Sequence, residues 1–172
     1  PHWSAAMACS EVSSCPCCWQ RCFWVPAISW LGWWRPVLAD DRPARPSWAL
    51  WIVLAAMAAE IFVLLGATGW SDLAASHLAL LVLAGLLVGF NEEALTRGVL
   101  IVAFRGSMRS EVSAALLAAL LFGAMHLPNG FFGIGLAGGV LQALMAFLAG
   151  LGFYVLRRVS GTILLPMAMH GL

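Results

Sequence analysis

An all-α bundle of transmembrane helices is the fold this sequence predicts, and three observations predict it. Of the 172 residues, 62% are hydrophobic and only 10% are charged, against about 45–50% apolar and about 25% charged in a soluble domain. From Trp48 onward, apolar runs of about twenty residues follow one another, each long enough to cross a hydrocarbon core of about 30 Å. Those runs lack the polar faces that the amphipathic helices of a soluble bundle require. Four spans and the start of a fifth can be counted.

The elements follow in chain order. Residues 1–47 read as a poorly ordered leader and linker, and 48–172 as the transmembrane domain. The leader mixes Trp, Pro, Arg and Cys without the continuous apolar stretch of a secretory signal. Its five cysteines, Cys9, Cys15, Cys17, Cys18 and Cys22, lack the paired C-x-x-C units of a structural zinc site. Adventitious metal binding or reactive thiols are the alternative to an incidental local cluster. The Pro- and Arg-rich stretch "RPVLADDRPARPS", Arg35 to Ser47, predicts an extended, exposed linker. Trp48 to Trp70 forms the first span, with Trp48, Trp51 and Trp70 near the interfaces.

After the turn "GWSD", with Ser71 as an N-cap, apolar sequence runs from Leu73 to Phe104 as one long tilted helix, or as two with a break near Gly89. Ser110 and Glu111 open the third span, Val112 to His126, because a hydroxyl cap and an anion suit a helix N-terminus. "HLPNGFFGIG" predicts a turn or re-entrant stretch, and Leu136 to Leu156 the fourth span. A fifth apolar segment starts at Thr162, with Pro166 in its first turns, where a helix tolerates it. The chain begins with Pro and stops at "HGL" inside an apolar run, which predicts a fragment at both ends.

The charges order this topology. All nine basic residues are Arg and the net charge is +1; no basic tract is interleaved with aromatics as in nucleic-acid binders, so no nucleic acid is expected as a partner. Arg35, Arg42 and Arg45, then Arg105 and Arg109, then Arg157 and Arg158 fall on one side of the alternating spans. The positive-inside rule makes that side, and the leader, cytoplasmic. A small all-Arg chain points to a bacterial inner membrane, with membrane lipid as its surroundings.

Few ionisable groups lie inside the apolar segments, and a charge at a span centre costs about 2.5–3.5 kcal/mol even on the mild insertion scale. Such groups therefore face a bundle interior. Measured from the arginine-rich loops at 1.5 Å per residue, Glu92 and Glu93 lie about 18 Å deep, His126 about 22 Å and His170 about 15 Å. Three helices thus bring two carboxylates and two imidazoles to one level. Glu93 and Arg97 stand four residues apart, the spacing and direction of a helical ion pair. They read as a structural clamp. Glu92, turned about 100° away on the helix, is left to work as a general base. His126 and His170 can hold a metal such as zinc, orient a water, or donate to an oxyanion. His77 sits near a span end. Glu60 reaches a similar depth but belongs to no motif and reads as structural.

Two of these stretches carry a resemblance. "EEALTRG" matches the E-E-x-x-x-R signature of the CPBP family, the Abi and CAAX-protease group of intramembrane proteases, and "FGAMH", Phe122 to His126, matches its F-x-x-x-H motif. The third family motif, H-x-x-x-N or H-x-x-x-D, begins at His170 and is cut off. From about Ser71 to Leu172 the chain therefore resembles a CPBP protein truncated inside its last motif. The resemblance implies hydrolysis of a peptide bond in or at the membrane, as in removal of the last three residues of prenylated CAAX proteins. The implied partner is a peptide or protein substrate, lipidated in the CAAX case. It implies Glu92, Glu93, His126 and His170 as the catalytic set, with Arg97 and Phe122 in support. Glu92 and His126 would activate the water, and His170 would stabilise the oxyanion or bind metal. Family members are described both as zinc-type metalloproteases and as metal-independent enzymes, so a divalent metal stays open.

Other readings predict other features. The sequence lacks H-E-x-x-H, G-x-S-x-G and paired membrane aspartates, which sets aside other protease chemistries. A proton-coupled transporter would use Glu and His relays but predicts internal repeats, and none is visible. A non-catalytic scaffold or bacteriocin-immunity protein would keep the bundle for binding alone.

Overall fold

The computed structural model describes residues 25–41, 43–70, 73–108 and 110–171. The five leader cysteines, the Ser71 cap, and Arg42, Asp72, Arg109 and Leu172 lie outside the described residues. The chain divides into two compact units, Pro1–Arg35 and Pro36–Leu172. In the first, a helical segment at 25–31 precedes Trp34, whose Nε1 donates to Ser29 Oγ at 3.0 Å.

The elements are α1 (Trp34–Leu38), α2 (Trp48–Ala67), α3 (Ala75–Glu93), a π-helical turn (Ala94–Leu100), α4 (Ile101–Ser107), α5 (Glu111–Ala124), a 3-10 turn (Leu127–Phe131), α6 (Gly135–Ser160) and α7 (Leu164–Gly171). Among the described residues there is no strand, only an isolated bridge between Ala39 and Thr162. Four helices have the length and composition to cross a membrane: Trp48–Ala67, Ala75–Ser107, Glu111–Phe131 and Gly135–Ser160. The all-α, four-span expectation holds, with a short α7 in place of the fifth segment. The second span is continuous over 33 residues. It changes helix type at Ala94, after Glu93, rather than breaking near Gly89.

Small residues bring the helices together. With lipid on all sides, close approach of backbones replaces the hydrophobic effect as the reason for packing. On α5, Ala114, Ala118 and Phe122 share one row, and Ala115, Ala119 and Gly123 the next, and all six are buried. That face lies against α6, where Gly139, Ala146, Gly150 and Phe153 are buried. Ser110 caps α5 as expected, its Oγ accepting the Ser113 N–H at 3.3 Å. In contrast α2 buries no residue, and Glu60 on it is exposed.

Helices α3 and α7 approach each other closely. A Cβ at Gly85 would sit 2.3 Å from the Gly171 carbonyl oxygen, and one at Gly89 2.6 Å from that of Met167. Only glycine at these two positions, one turn apart, lets the backbones touch. Gly85→Val is therefore expected to lower stability by about 1–3 kcal/mol, the cost of overpacking. Gly66, with open space around its Cβ position, supplies the control: Gly66→Ala gains the helix preference of about 0.5–1 kcal/mol. Unfolding titrations of both variants in detergent check the contrast.

The stretch before the first span differs from the expected exposed linker. Asp40 N–H donates to the Gly161 carbonyl at 2.8 Å, Ala44 N–H to that of Arg158 at 2.6 Å, and Ile163 N–H to that of Leu38 at 3.0 Å. Val37 is fully buried. Gly161 ends α6 in the left-handed conformation, φ 72°, as a helix C-cap favours. The physical reason for the docking is charge. Asp40 lies 2.6 Å from Arg105 Nη1, 3.5 Å from Arg157 Nε and 3.4 Å from Arg158 Nη1. Glu111 lies 2.5 Å from Arg105 Nη2 and accepts from the Tyr154 hydroxyl. Arginines from the ends of two helices, α4 and α6, thus converge on two carboxylates.

Burial alone would raise the pKa of Asp40, but the hydrogen bond from Arg105 and the charges of Arg105, Arg157 and Arg158 outweigh it and hold the carboxyl below its ordinary 3.8. A depressed folded-state pKa stabilises the fold above the unfolded value of about 3.9, and that contribution is lost as pH falls through the folded value. Thermal unfolding of the wild type is thus expected to become more acid-sensitive below about pH 4 than that of Asp40→Asn. Parallel pH profiles would show that Asp40 does not contribute.

Candidate functional site

The site starts at the change of helix type. Thr96, fully buried, donates its hydroxyl to the Glu92 carbonyl at 2.6 Å and accepts from Arg97 Nη1 at 2.6 Å. A hydroxyl that bonds back to the carbonyl four residues earlier competes with the helical ladder and bends helices. Here the ladder runs in π form from Ala94 to Leu100. Single π turns recur at functional sites.

Glu93 and Arg97 are buried at 0% and 2% exposure and pair at 2.8 Å. The same Glu93 Oε1 accepts from His170 Nδ1 at 2.9 Å. This triad ties α3 to α7 through one carboxylate oxygen. Glu92, a residue earlier, stays out of it: its Oε2 lies 3.6 Å from His170 Nε2, outside direct hydrogen-bond reach. His170 thus shows one ring nitrogen to each glutamate.

Phe122 organises the imidazoles and the guanidinium. Its ring meets His126 edge-on at 5.0 Å and His170 edge-on at 5.6 Å, and the Arg97 guanidinium carbon lies 4.2 Å from its centroid. His126 Nδ1 is 2.8 Å from the Phe122 carbonyl. A carbonyl only accepts, so Nδ1 carries the proton and the Nε2 lone pair is free. Phe153 stacks on His170 at 4.8 Å with the ring planes 13° apart. The six site residues expected from sequence, Glu92, Glu93, Arg97, Phe122, His126 and His170, thus form a chain of contacts, with His126 joined to the glutamates through Phe122 and His170. Thr96 and Phe153 were not foreseen. Thr96 sits inside the octapeptide of the first motif, while nothing in the sequence marks Phe153.

Among the described residues, Asn91 Oδ1, Glu92 Oε2, Glu93 Oε2 and Arg97 Nη2 are buried with no hydrogen-bond partner. Each such group costs about 1–3 kcal/mol, more when charged. A stretch of α3 that carries three orphan acceptors beside an orphan donor is built to meet a polar guest. Among the described residues no three His, Cys, Asp or Glu side chains are placed to hold a metal ion. Both Nδ1 atoms are engaged, which leaves the two Nε2 atoms as the ring nitrogens that face a ligand.

A family model described as type II CAAX prenyl endopeptidase Rce1-like matches residues 74–172. No curated protein and no solved structure matches the chain significantly.

Proposed function

Since the chain belongs to the Rce1-like type II CAAX prenyl endopeptidase family, we propose that it is an intramembrane endopeptidase. It hydrolyses a peptide bond with a water activated by Glu92. The observation that carries this reading is the division of labour between adjacent glutamates. Glu93 is committed through its Oε1 to both Arg97 and His170, with its Oε2 unpaired, while the Glu92 oxygen nearest His170 has no hydrogen-bond partner among the described residues.

The chemistry follows from those positions. A water between Glu92 Oε2 and His170 Nε2 would bridge a gap of 3.6 Å, a separation that invites a mediating water. Glu92 takes a proton from the water as its oxygen bonds to the scissile carbonyl carbon. The negative charge passes to the carbonyl oxygen. His170, with its Nδ1–H held by the Glu93 carboxylate, is oriented as an imidazole is by its acid in a catalytic triad, and in its imidazolium form, where both ring nitrogens carry protons, it donates from Nε2–H to that oxyanion. His126 offers its Nε2 lone pair to the same water or to the leaving group. Glu92 then returns the proton to the departing amine as the C–N bond breaks, giving a free acid and a free amine. No step is routed through a metal.

The substrate proposed is a lipidated peptide. An apolar groove between α5 and α6, lined by Gly123, Ala124 and Leu127 around the His126 stretch and by Val140, Leu144 and Phe147 opposite, suits a hydrocarbon tail. The arginine-rich end is read as cytoplasmic by the positive-inside rule, in a bacterial inner membrane.

The test is cleavage of a farnesylated peptide ending in a CAAX sequence by the purified chain in liposomes, read by mass spectrometry. Loss of the last three residues is expected, and uncleaved peptide would refute the reading. Chelator treatment forms a separate arm. Cleavage that stops on chelation and returns with zinc would assign His126 and His170 to a metal.

A further inference from the structure

A second arginine reaches the site from outside all three motifs. Arg157, on α6, is fully buried. Its Nη1 donates to the carbonyl oxygens of Arg97 and Val37, the latter at 3.1 Å, and its Nη2 donates to that of Pro36 at 2.8 Å. In an α-helix the Arg97 carbonyl would receive the N–H of Ile101, four residues on. Here that N–H goes to Gly98, three residues back, where the π turn gives way to α4, and the Arg97 carbonyl faces Arg157. Buried carbonyls require such partners. A guanidinium supplies several donors in one rigid fork, which a lysine ammonium does not reproduce.

Resting on the hydrolytic reading of the site, we propose that Arg157 is a positioning residue for it. Arg157 fixes the backbone of Arg97 in the π turn. That backbone sets the reach of the Arg97 side chain to Glu93, and Glu93 in turn sets the His170 ring opposite Glu92. The same guanidinium holds the Pro36 and Val37 carbonyls, so the segment before the first span is fastened to the catalytic level through one side chain.

The experiment compares Arg157→Lys and Arg157→Ala with wild type in two readouts. One is kcat and KM on the farnesylated peptide. The other is the NMR resonance of the His170 Nδ1 proton in detergent, which reports its hydrogen bond to Glu93. A displacement of about 1 Å at a reacting group costs about 10²-fold in rate, so kcat is expected to fall about 10- to 100-fold in both variants with KM unchanged. The His170 resonance is expected to move, and added guanidinium to restore part of kcat in Arg157→Ala but not in Arg157→Lys. A folded Arg157→Lys with wild-type kcat, or with lost kcat and an unmoved resonance, overturns the proposal. So does failure of both variants to fold, which assigns Arg157 a purely structural part. If wild type leaves the peptide intact, the hydrolytic reading fails by itself, and an unmoved resonance still decides against Arg157.

Discussion

Glu92→Gln is expected to reduce peptide cleavage by about 10²–10⁴-fold, the range that a positioned general base contributes, while the helices and their unfolding transition stay as in wild type. The substitution keeps the side chain's shape and removes only its ability to take a proton. Its Oε2 has no hydrogen-bond partner to lose among the described residues, and at 23% exposure against 0% for Glu93 its charge counts for less in stability than that of the buried pair. The measurement is kcat on the farnesylated peptide beside thermal unfolding of the same preparation. Cleavage retained by a folded Glu92→Gln would remove the assigned base. If Glu93 were the base instead, Glu92→Gln would be nearly silent, and the two adjacent positions are separated by that one comparison.

How much of this was legible before the structure depends on which physical signal each feature leaves. The spans were legible because lipid demands long apolar runs, and the predicted limits at Trp48, Ser110 and Leu136 fall within a residue of the observed helices. The shared depth of Glu92, Glu93 and His170 was also legible, because rise per residue converts position into height. The π turn was not. It shifts backbone hydrogen bonds without changing composition, and its local cause, Thr96 bonding to the Glu92 carbonyl, is one buried hydroxyl among several threonines. The stretch from Pro36 to Ala44 was misread because Pro and Arg signal a loop in the absence of partners. Arg105, Arg157 and Arg158 supply those partners from over sixty residues away, and no local pattern records that. The spacing of Gly85 and Gly89 is a small-xxx-small signal for helix contact that the sequence does carry.

Arg97→Met is expected to destabilise the fold by about 3–5 kcal/mol, because removing one partner of a buried ion pair leaves the other charge uncompensated. The pair has 2% and 0% exposure, so solvent screening offers no relief. Glu93 would keep only the His170 hydrogen bond, and Phe122 would lose the guanidinium that lies over its ring. Glu93→Gln is expected to cost a similar amount for the complementary reason, an unpaired guanidinium among aromatic rings. The double variant decides between a clamp and two independent contributions. Methionine and glutamine leave no buried charge, so Glu93→Gln/Arg97→Met is expected to be less destabilised than the sum of the single changes by at least about 1 kcal/mol, a coupling that residues in direct contact show and distant ones do not. Cleavage should stay low in Glu93→Gln and in the double variant, because there the His170 ring loses the carboxylate that orients it whether or not stability recovers. Additive losses in stability, or a double variant that regains activity along with stability, would mean that Glu93 and Arg97 do not act as the clamp on which the geometry of Glu92 and His170 depends.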